Sequence, residues 1–317
     1  MVIRALELYC GIGGFAAAVA GTNVRVAGAL DQSPPALSVY RLNFPGHGVT
    51  QANLETITSR ELESFGADFW WMSPPCQPYT VRGARGDLED PRALSFIRLM
   101  KILEQMPEEA LPFHLALENV AGFGASETRK RLTETLTERG FHFQETLLCP
   151  TSLGIPMRRP RYYLAASRKR LTPFNHLPAK KMKPLTRYLD AGVGDYNFED
   201  LKVPGEVLKT FGPGLRILTA SDPSAYTTCF TSGYGRSIMH SGSYLRASGG
   251  VRRFSPGEIL RLLHFPRGFR FPEGGMPLRK KWQLAGNSLS VAAVRRILGV
   301  FPGLTKDSRR TGVTGAR

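Results

Sequence analysis

Long apolar runs are missing from this sequence: no stretch approaches eighteen uncharged apolar residues, which excludes a helical membrane span. The opening residues, MVIRALELYCGIGGF, lack a basic start followed by a long apolar run and a small-residue cleavage site. A cytoplasmic protein with no membrane partner is therefore expected. Cysteine is scarce as well. Cys10, Cys76, Cys149 and Cys229 lie far apart and form no C-x-x-C pair, which argues against a structural zinc site and against a disulfide framework. Reduced thiols and no metal are expected. Acid is scarce in one half only: residues 1–150 carry 13 Lys and Arg against 17 Asp and Glu, whereas residues 151–317 carry 29 against 9. The halves stand at about −4 and +20, and residues 157–189 hold ten basic side chains and no acid. A basic surface can be merely well solvated, but so one-sided a bias points to a polyanion, nucleic acid first.

What is present is a chain of 317 residues, enough for one large domain with a smaller companion and a sizeable core. Strand and helix patterns alternate through the first half. ALELYC, VRVAGALD, ADFWWMS and FHLALENV read as strands; GFAAAVAGT, PPALSVYRLNF and RALSFIRLMKILEQM read as helices between them. SETRKRLTETLTERG follows as a helix with Ser126 as N-cap and Gly140 as stop, and then FHFQETLLC and RYYLAAS as strand-like segments. This is the pattern of an α/β, doubly wound, parallel sheet with crossover helices, whose ligands sit beyond the carboxyl ends of the strands. The sheet domain is assigned residues 1–168. Residues 169–253, rich in Pro, Gly, Lys and Arg, are expected to form a small irregular domain. Helical periodicity returns in SPGEILRLLHF and SLSVAAVRRILGVF, so residues 254–303 are expected to rejoin the sheet domain, and 304–317 to be a mobile basic tail.

Several motifs fall at strand ends. In ELYCGIGGFAA, Gly11, Gly13 and Ala16 match G-x-G-x-x-A between a strand and a helix, where glycine permits close backbone approach to a nucleotide. Asp31 closes the second strand twenty residues after Gly11, where a carboxylate can accept from two ribose hydroxyls. This pair fits a nicotinamide enzyme as well as one that uses S-adenosylmethionine, and tight packing alone can also demand such glycines. SPPCQPYT then puts Cys76 on a loop stiffened by proline at the same sheet edge. Glu118 and Asn119 end another strand; an isolated Glu there often just caps the next helix, but beside Cys76 it could protonate a ring nitrogen while sulfur attacks the adjacent carbon. In GIPMRRPRYYLAAS, Arg159 and Arg161 are expected at alternate positions of one strand, facing an anion or a base carbonyl together. LAGNSLSVAAV sets Asn287 and Ser288 at an expected helix start, where capping is the plain alternative to a ligand contact.

ELYCGIGGF, SPPCQP, LENV, RRPRYY and LAGNSLS, in this order over nearly the whole chain, resemble the ordered motifs of the cytosine-5 methyltransferase family. TTCFTSGYG and the wording LLCPTSLGIPMRRPRYYL are similar to the branch called DNA methyltransferase two, which modifies transfer RNA. The resemblance implies a Rossmann-like S-adenosylmethionine-dependent methyltransferase sheet with a small target-recognition domain, and the product S-adenosylhomocysteine. It implies that Cys76 adds to carbon 6 of cytosine, that Glu118 protonates nitrogen 3, and that Arg159 and Arg161 hold the base carbonyl or phosphate. Tyr9, Gly11, Ile12, Gly13, Gly14, Asp31, Gln32, Asn53, Pro75, Asn287 and Ser288 would line the cofactor pocket, and Gln77, Cys229, Phe230 and Thr231 would meet the substrate. Asn53 replaces an acid common in the family, and Met157 replaces a glutamine. The implied partner is tRNA, at a cytosine two places beyond the anticodon, with little action on duplex DNA and no obligate protein partner. Competing readings are a DNA cytosine-5 methyltransferase, a nicotinamide oxidoreductase, which leaves the other four motifs unexplained, and a catalytically silent RNA-binding protein.

Overall fold

The computed structural model of the protein describes residues 1–80, 86–174, 180–190 and 196–306. Two units divide the chain: Met1–Leu148, Arg161–His176 and Val294–Arg317 form the first, and Cys149–Pro160 with Leu177–Ala293 form the second.

The first unit is built on a seven-stranded sheet of order β3-β2-β1-β4-β5-β7-β6. Its strands are β1 (Ile3–Leu8), β2 (Val24–Asp31), β3 (Val49–Gln51), β4 (Phe69–Met72), β5 (His114–Val120), β6 (His142–Leu148) and β7 (Arg161–Ser167). Between them lie α1 (Gly14–Val19), α2 (Pro34–Asn43), α3 (Ser59–Glu63), α4 (Leu94–Gln105) and α5 (Glu127–Glu138). The side-chain period of two separates the faces of β4. Trp70 and Met72 join Leu6, Leu8, Leu115 and Leu117 in a core completed by Leu99 and Leu103 of α4 and Leu132 and Leu136 of α5. Phe69 and Trp71 point the other way and stack on Phe15 of α1, at 5.7 and 5.3 Å between ring centroids. Helix α5 starts where Ser126 Oγ accepts the Arg129 N–H at 3.0 Å, and Gly140, at φ 73°, follows its end. These match the expected cap and stop.

The sheet departs from the all-parallel expectation at one strand. β7 runs antiparallel to both β5 and β6. A parallel neighbour would require a crossover that carries the chain back to the opposite edge, usually a helix. Between β6 and β7 the chain instead makes only the short excursion Cys149–Pro160, and re-enters at the edge it left.

The second unit holds a three-stranded sheet of order β10-β9-β8, from β8 (Ile217–Leu218), β9 (Tyr244–Ala247) and β10 (Gly250–Arg253). Its helices are α6 (Phe198–Leu201), α7 (Gly205–Phe211), α8 (Pro256–Leu262) and α9 (Leu278–Asn287), and α10 (Val291–Leu298) spans the point where the chain leaves it. An aromatic core holds this unit together. Tyr234 and Trp282 meet edge to face at 5.7 Å, Phe230 and Phe254 at 5.2 Å, and the Trp282 indole donates to the Phe254 carbonyl at 2.8 Å. This packing explains why residues 254–293 group here and not with the sheet, as does the ion pair of Arg261 with Asp190. Residues 149–160 also belong to this unit, and only Val294 onward returns to the first. Of the expected tail, residues 307–317 lie outside the described residues. No described helix is long and apolar enough to cross a membrane.

Ser255 has two duties in the second unit: its Oγ accepts the Glu258 N–H at 3.1 Å, completing a capping box on α8, and donates to Asp190 Oδ2 at 2.7 Å. Ser255→Ala is expected to cost about 1–2 kcal/mol, read as a lower midpoint in urea denaturation followed by circular dichroism.

Candidate active site

In the first unit, β1, β4 and β5 are adjacent and in register, with Met72 opposite both Leu8 and Leu117. The segments that leave these strands therefore start side by side. After β1 comes the glycine turn, in which Tyr9, Gly11 and Gly13 all have positive φ, at 57°, 52° and 90°. Asp31, at the end of β2, spans its entrance: Oδ2 accepts the Gly11 N–H at 2.9 Å and Oδ1 the Ser33 N–H at 2.8 Å. Burial raises the Asp31 pKa, opposed by these amides. The Tyr9 hydroxyl donates to Ser95 Oγ at 3.0 Å. Gly13 has no room for a side chain, since a Cβ would stand 2.5 Å from the Phe44 ring. Gly11 is the opposite case. Nothing lies within 4 Å of where its Cβ would be, so the left-handed turn presents backbone to open space beside the partly exposed Asp31. A nucleotide-bearing cofactor fits such a cradle. Ile12 is buried behind it, Gly14 begins α1, Gln32 is exposed, and exposed Asn53 accepts the Glu55 N–H at 3.0 Å.

After β4 the chain passes Pro74 and the half-buried Pro75 to Cys76, which caps a single 3-10 turn, Gln77–Tyr79. Gln77 is exposed, and Cys76 is half-buried. Asn119, at the end of β5, donates from Nδ2 to the Pro74 carbonyl at 3.3 Å and ties the cysteine loop to the neighbouring strand. Glu118 precedes it. Glu118 is opposite Tyr163 in β7, so Arg161, two residues earlier, emerges on the same face. Arg161 Nε lies 3.3 Å from Glu118 Oε1, both side chains being largely buried. The site thus brings a thiol and a carboxylate–guanidinium pair to abutting strand ends.

Arg159 is not in that strand, and the expected pairing of two arginines on one face is not found. β7 begins at Arg161. Arg159 is buried in the second unit, where Nη1 donates to the Phe230 carbonyl at 3.0 Å and to the Gly286 carbonyl at 3.4 Å, Nη2 donates to the Ser288 carbonyl, and Nη1 lies 3.2 Å from Cys229 Sγ. Proline at 160 separates the two arginines and prevents a continuous ladder. The guanidinium gathers Cys229, Phe230 and the segment after α9. Thr231 joins the same contact, for its carbonyl would stand 2.2 Å from a Cβ at Gly286. Asn287 ends α9, and Ser288 is the C-cap, so neither starts a helix as expected; Ser290 Oγ stands at the start of α10 instead, accepting the Ala293 N–H at 3.4 Å.

Sequence reasoning passed over Glu7, a buried carboxyl in β1 behind the glycine turn. Its signal was an acid inside the apolar run ALELYC. Ser95, the partner of Tyr9, carried no signal of its own.

Arg159→Ala would leave several buried carbonyls without donors and is expected to destabilise the second unit by about 3 kcal/mol or more. Gly286→Ala should do the same through the clash with Thr231. Both are read by chemical denaturation, with Arg158→Ala, an exposed neighbour, as the control that stays near the parent.

Residues 3–301 match the model of the family described as C-5 cytosine-specific DNA methylase. A tRNA (cytosine(38)-C(5))-methyltransferase of Bos taurus is 31% identical over 389 aligned residues, covering 94% of this chain and 99% of the relative. Its Homo sapiens counterpart is 30% identical with the same coverage. The fold is similar to the crystal structure of the S. pombe Dnmt2 methyltransferase, with a TM-score of 0.82 at 28% identity over 94% of this chain and 97% of that one.

Proposed function

The chain belongs to the C-5 cytosine-specific DNA methylase family, and on that premise we propose that it methylates carbon 5 of cytosine 38 in the anticodon loop of tRNA, the reaction named for its relatives. The observation that carries the reading is the tie of the Cys76 loop, through Pro74, to Asn119, the neighbour of the Glu118 that pairs with Arg161. Cytosine carbon 5 is a poor nucleophile while the ring is aromatic. In the proposed step the Cys76 thiolate forms an S–C bond at carbon 6, and the displaced electron pair gives carbon 5 enamine character. Glu118, having taken a proton from solvent, passes it to nitrogen 3 as sulfur adds, so that negative charge does not build on the ring, and is left as the carboxylate that pairs with Arg161. Arg161, held by Glu118, faces the base carbonyl. After methylation the carbon 5 proton passes to water, its bonding pair restores the carbon 5–carbon 6 double bond as sulfur leaves as the thiolate, and nitrogen 3 returns its proton to Glu118.

S-adenosylmethionine, when bound, supplies an electrophilic methyl group. Gly11, Ile12, Gly13 and Gly14 would hold it with Tyr9 and Pro75, while Asp31 and Gln32 would meet its ribose and Asn53 its adenine. Gln77 and the segment of Cys229, Phe230 and Thr231 are assigned to the RNA. Arg159 is assigned to keeping that segment in shape, because its donors are directed to backbone carbonyls.

An anticodon loop suits this chemistry, since a target base must leave its stack and an unpaired one does so at least cost. The second unit offers a surface for the phosphates. Lys180, Lys181 and Lys183 are exposed on a strap whose backbone donates to the Ser152 and Gly154 carbonyls, at 3.1 and 2.9 Å from Lys180 and Lys183. Arg158 and Arg187 are exposed in the same unit.

With labelled S-adenosylmethionine, tRNA should be methylated and duplex DNA hardly at all; the reverse would assign the chain to DNA. Cys76→Ala should lower the rate by at least about four orders of magnitude, and Glu118→Gln by about two to three. Changing Lys180, Lys181 and Lys183 together to Ala should leave kcat in place and flatten the plot of log KM for tRNA against log salt by about 2.

A further inference from the structure

Glu7 lies in the centre of the sheet, 1% exposed, between Ala29 of β2 and Trp71 of β4. Its carboxyl is directed at the back of the glycine turn. Oε1 accepts the Phe15 N–H, in the first turn of α1, at 3.1 Å, and Oε2 is 2.9 Å from the Tyr40 hydroxyl of α2. That hydroxyl is 3.2 Å from His47 Nδ1. The His47 ring stacks on Phe44 at 5.3 Å and 9°, and Phe44 is the ring that fills the space beneath Gly13. One chain of contacts therefore runs from the partly exposed His47 to the exit of the turn that Asp31 holds at its entrance.

We propose that Glu7 is a positioning residue of the cofactor turn and acts as a neutral acid, with Oε1 accepting from Phe15 while Oε2 donates to Tyr40, which donates in turn to His47 Nδ1. This order gives every atom of the chain a complementary partner when the neutral imidazole carries its proton on Nε2. An ionised Glu7 would instead accept from Tyr40, with His47 in its Nδ1–H tautomer donating to the Tyr40 oxygen. It would also be an anion in the core. The titratable groups facing it are Tyr40 from α2, Cys10 from the turn and Asp31 from β2, with Arg41 acting on the Cys10 thiol; β4 contributes the Trp71 and Phe69 rings. The groups acting directly on Glu7 offer it hydrogen bonds, from Tyr40 and the amides of Phe15 and Ala16, but none offers a positive charge, and a buried carboxylate without a counter-charge costs several kcal/mol. Burial accordingly pushes the Glu7 pKa up to about 8, with the Tyr40 and backbone hydrogen bonds opposing it, and lowers that of His47.

The inference rests on the cofactor reading for its functional half, and two readouts separate them. Glu7→Gln reproduces the neutral acid, since its amide can accept from Phe15 and donate to Tyr40. Glu7→Leu keeps the bulk and removes both bonds. At pH 7, Glu7→Gln should bind S-adenosylhomocysteine within about twofold of the parent, and Glu7→Leu about tenfold more weakly. The second readout is the melting temperature from pH 5 to 9, without ligand. A carboxyl with pKa 4.5 unfolded and about 8 folded holds more protons in the folded state between those values, so the parent loses stability as pH rises through that window. Glu7→Gln lacks this loss. Its advantage in melting temperature should widen from pH 5 to about 8 and then stay level. Parallel melting curves, or Glu7→Gln binding as weakly as Glu7→Leu, would overturn the proposal. If Glu7→Leu does not fold, the melting curves of the Gln variant and the parent still decide. If the parent fails to bind S-adenosylhomocysteine, the cofactor reading falls, and the same curves still test the neutral acid.

Discussion

Leu8, Met72 and Leu117 stand level in three adjacent parallel strands, and this register fixes where reacting groups can be. β1 and β4 end at this height while β5 runs on to Val120, so the turn after β1, the cysteine loop after β4 and Glu118, one residue past Leu117, cannot be far apart. The interior alternation sets the rest. Trp70 and Met72 must face one helical layer, Phe69 and Trp71 the other. A slip of one residue in β4 would exchange those faces and carry the cysteine loop out of line with Glu118. The prolines around Cys76 and the Asn119 bond to Pro74 then remove most of the remaining freedom.

Two arginines separated by a single proline illustrate how differently one side chain can be used. Arg161 opens β7 and stands against a carboxylate of β5. Arg159 is surrounded by carbonyl oxygens. Its planar fork spreads five donors over separated acceptors, where a lysine carries three on a single nitrogen. The segment bearing Cys229 and the turn after α9 are each irregular, and irregular backbone in a core needs donors from somewhere.

Much of the first unit was legible in the sequence because its signals are local. Apolar runs of four to eight residues gave the strands, Ser126 and Gly140 bounded α5, and the glycines announced a turn with positive φ. Cys76 and Glu118 were legible because strand ends in a doubly wound sheet share an edge. The direction of β7 was not. RYYLAAS reads the same whether it runs up or down, and only the short link before it decides. Arg159 and Arg161 looked alike for a related reason: an i, i+2 spacing implies one face only inside a strand, and the strand starts after Pro160. The C-terminal boundary was misplaced because Trp282 and Arg261 are claimed by partners far away in sequence, Tyr234 and Asp190. Asn287 belongs to the helix before it because Gly286 packs against Thr231, a contact that no local pattern encodes.

The strand order β5-β7-β6 has a consequence for the making of the molecule. β6 is hydrogen-bonded to β7 and to no other described strand, yet it precedes β7 in the chain. As the polypeptide emerges, residues 142–148 wait for residues 161–167, Leu148 finding Arg161 first, after the detour through Cys149–Pro160. β7 ends up between β5 and β6, bonded to both. Until β7 is made, the side of β5 that it will cover is an open template for other chains.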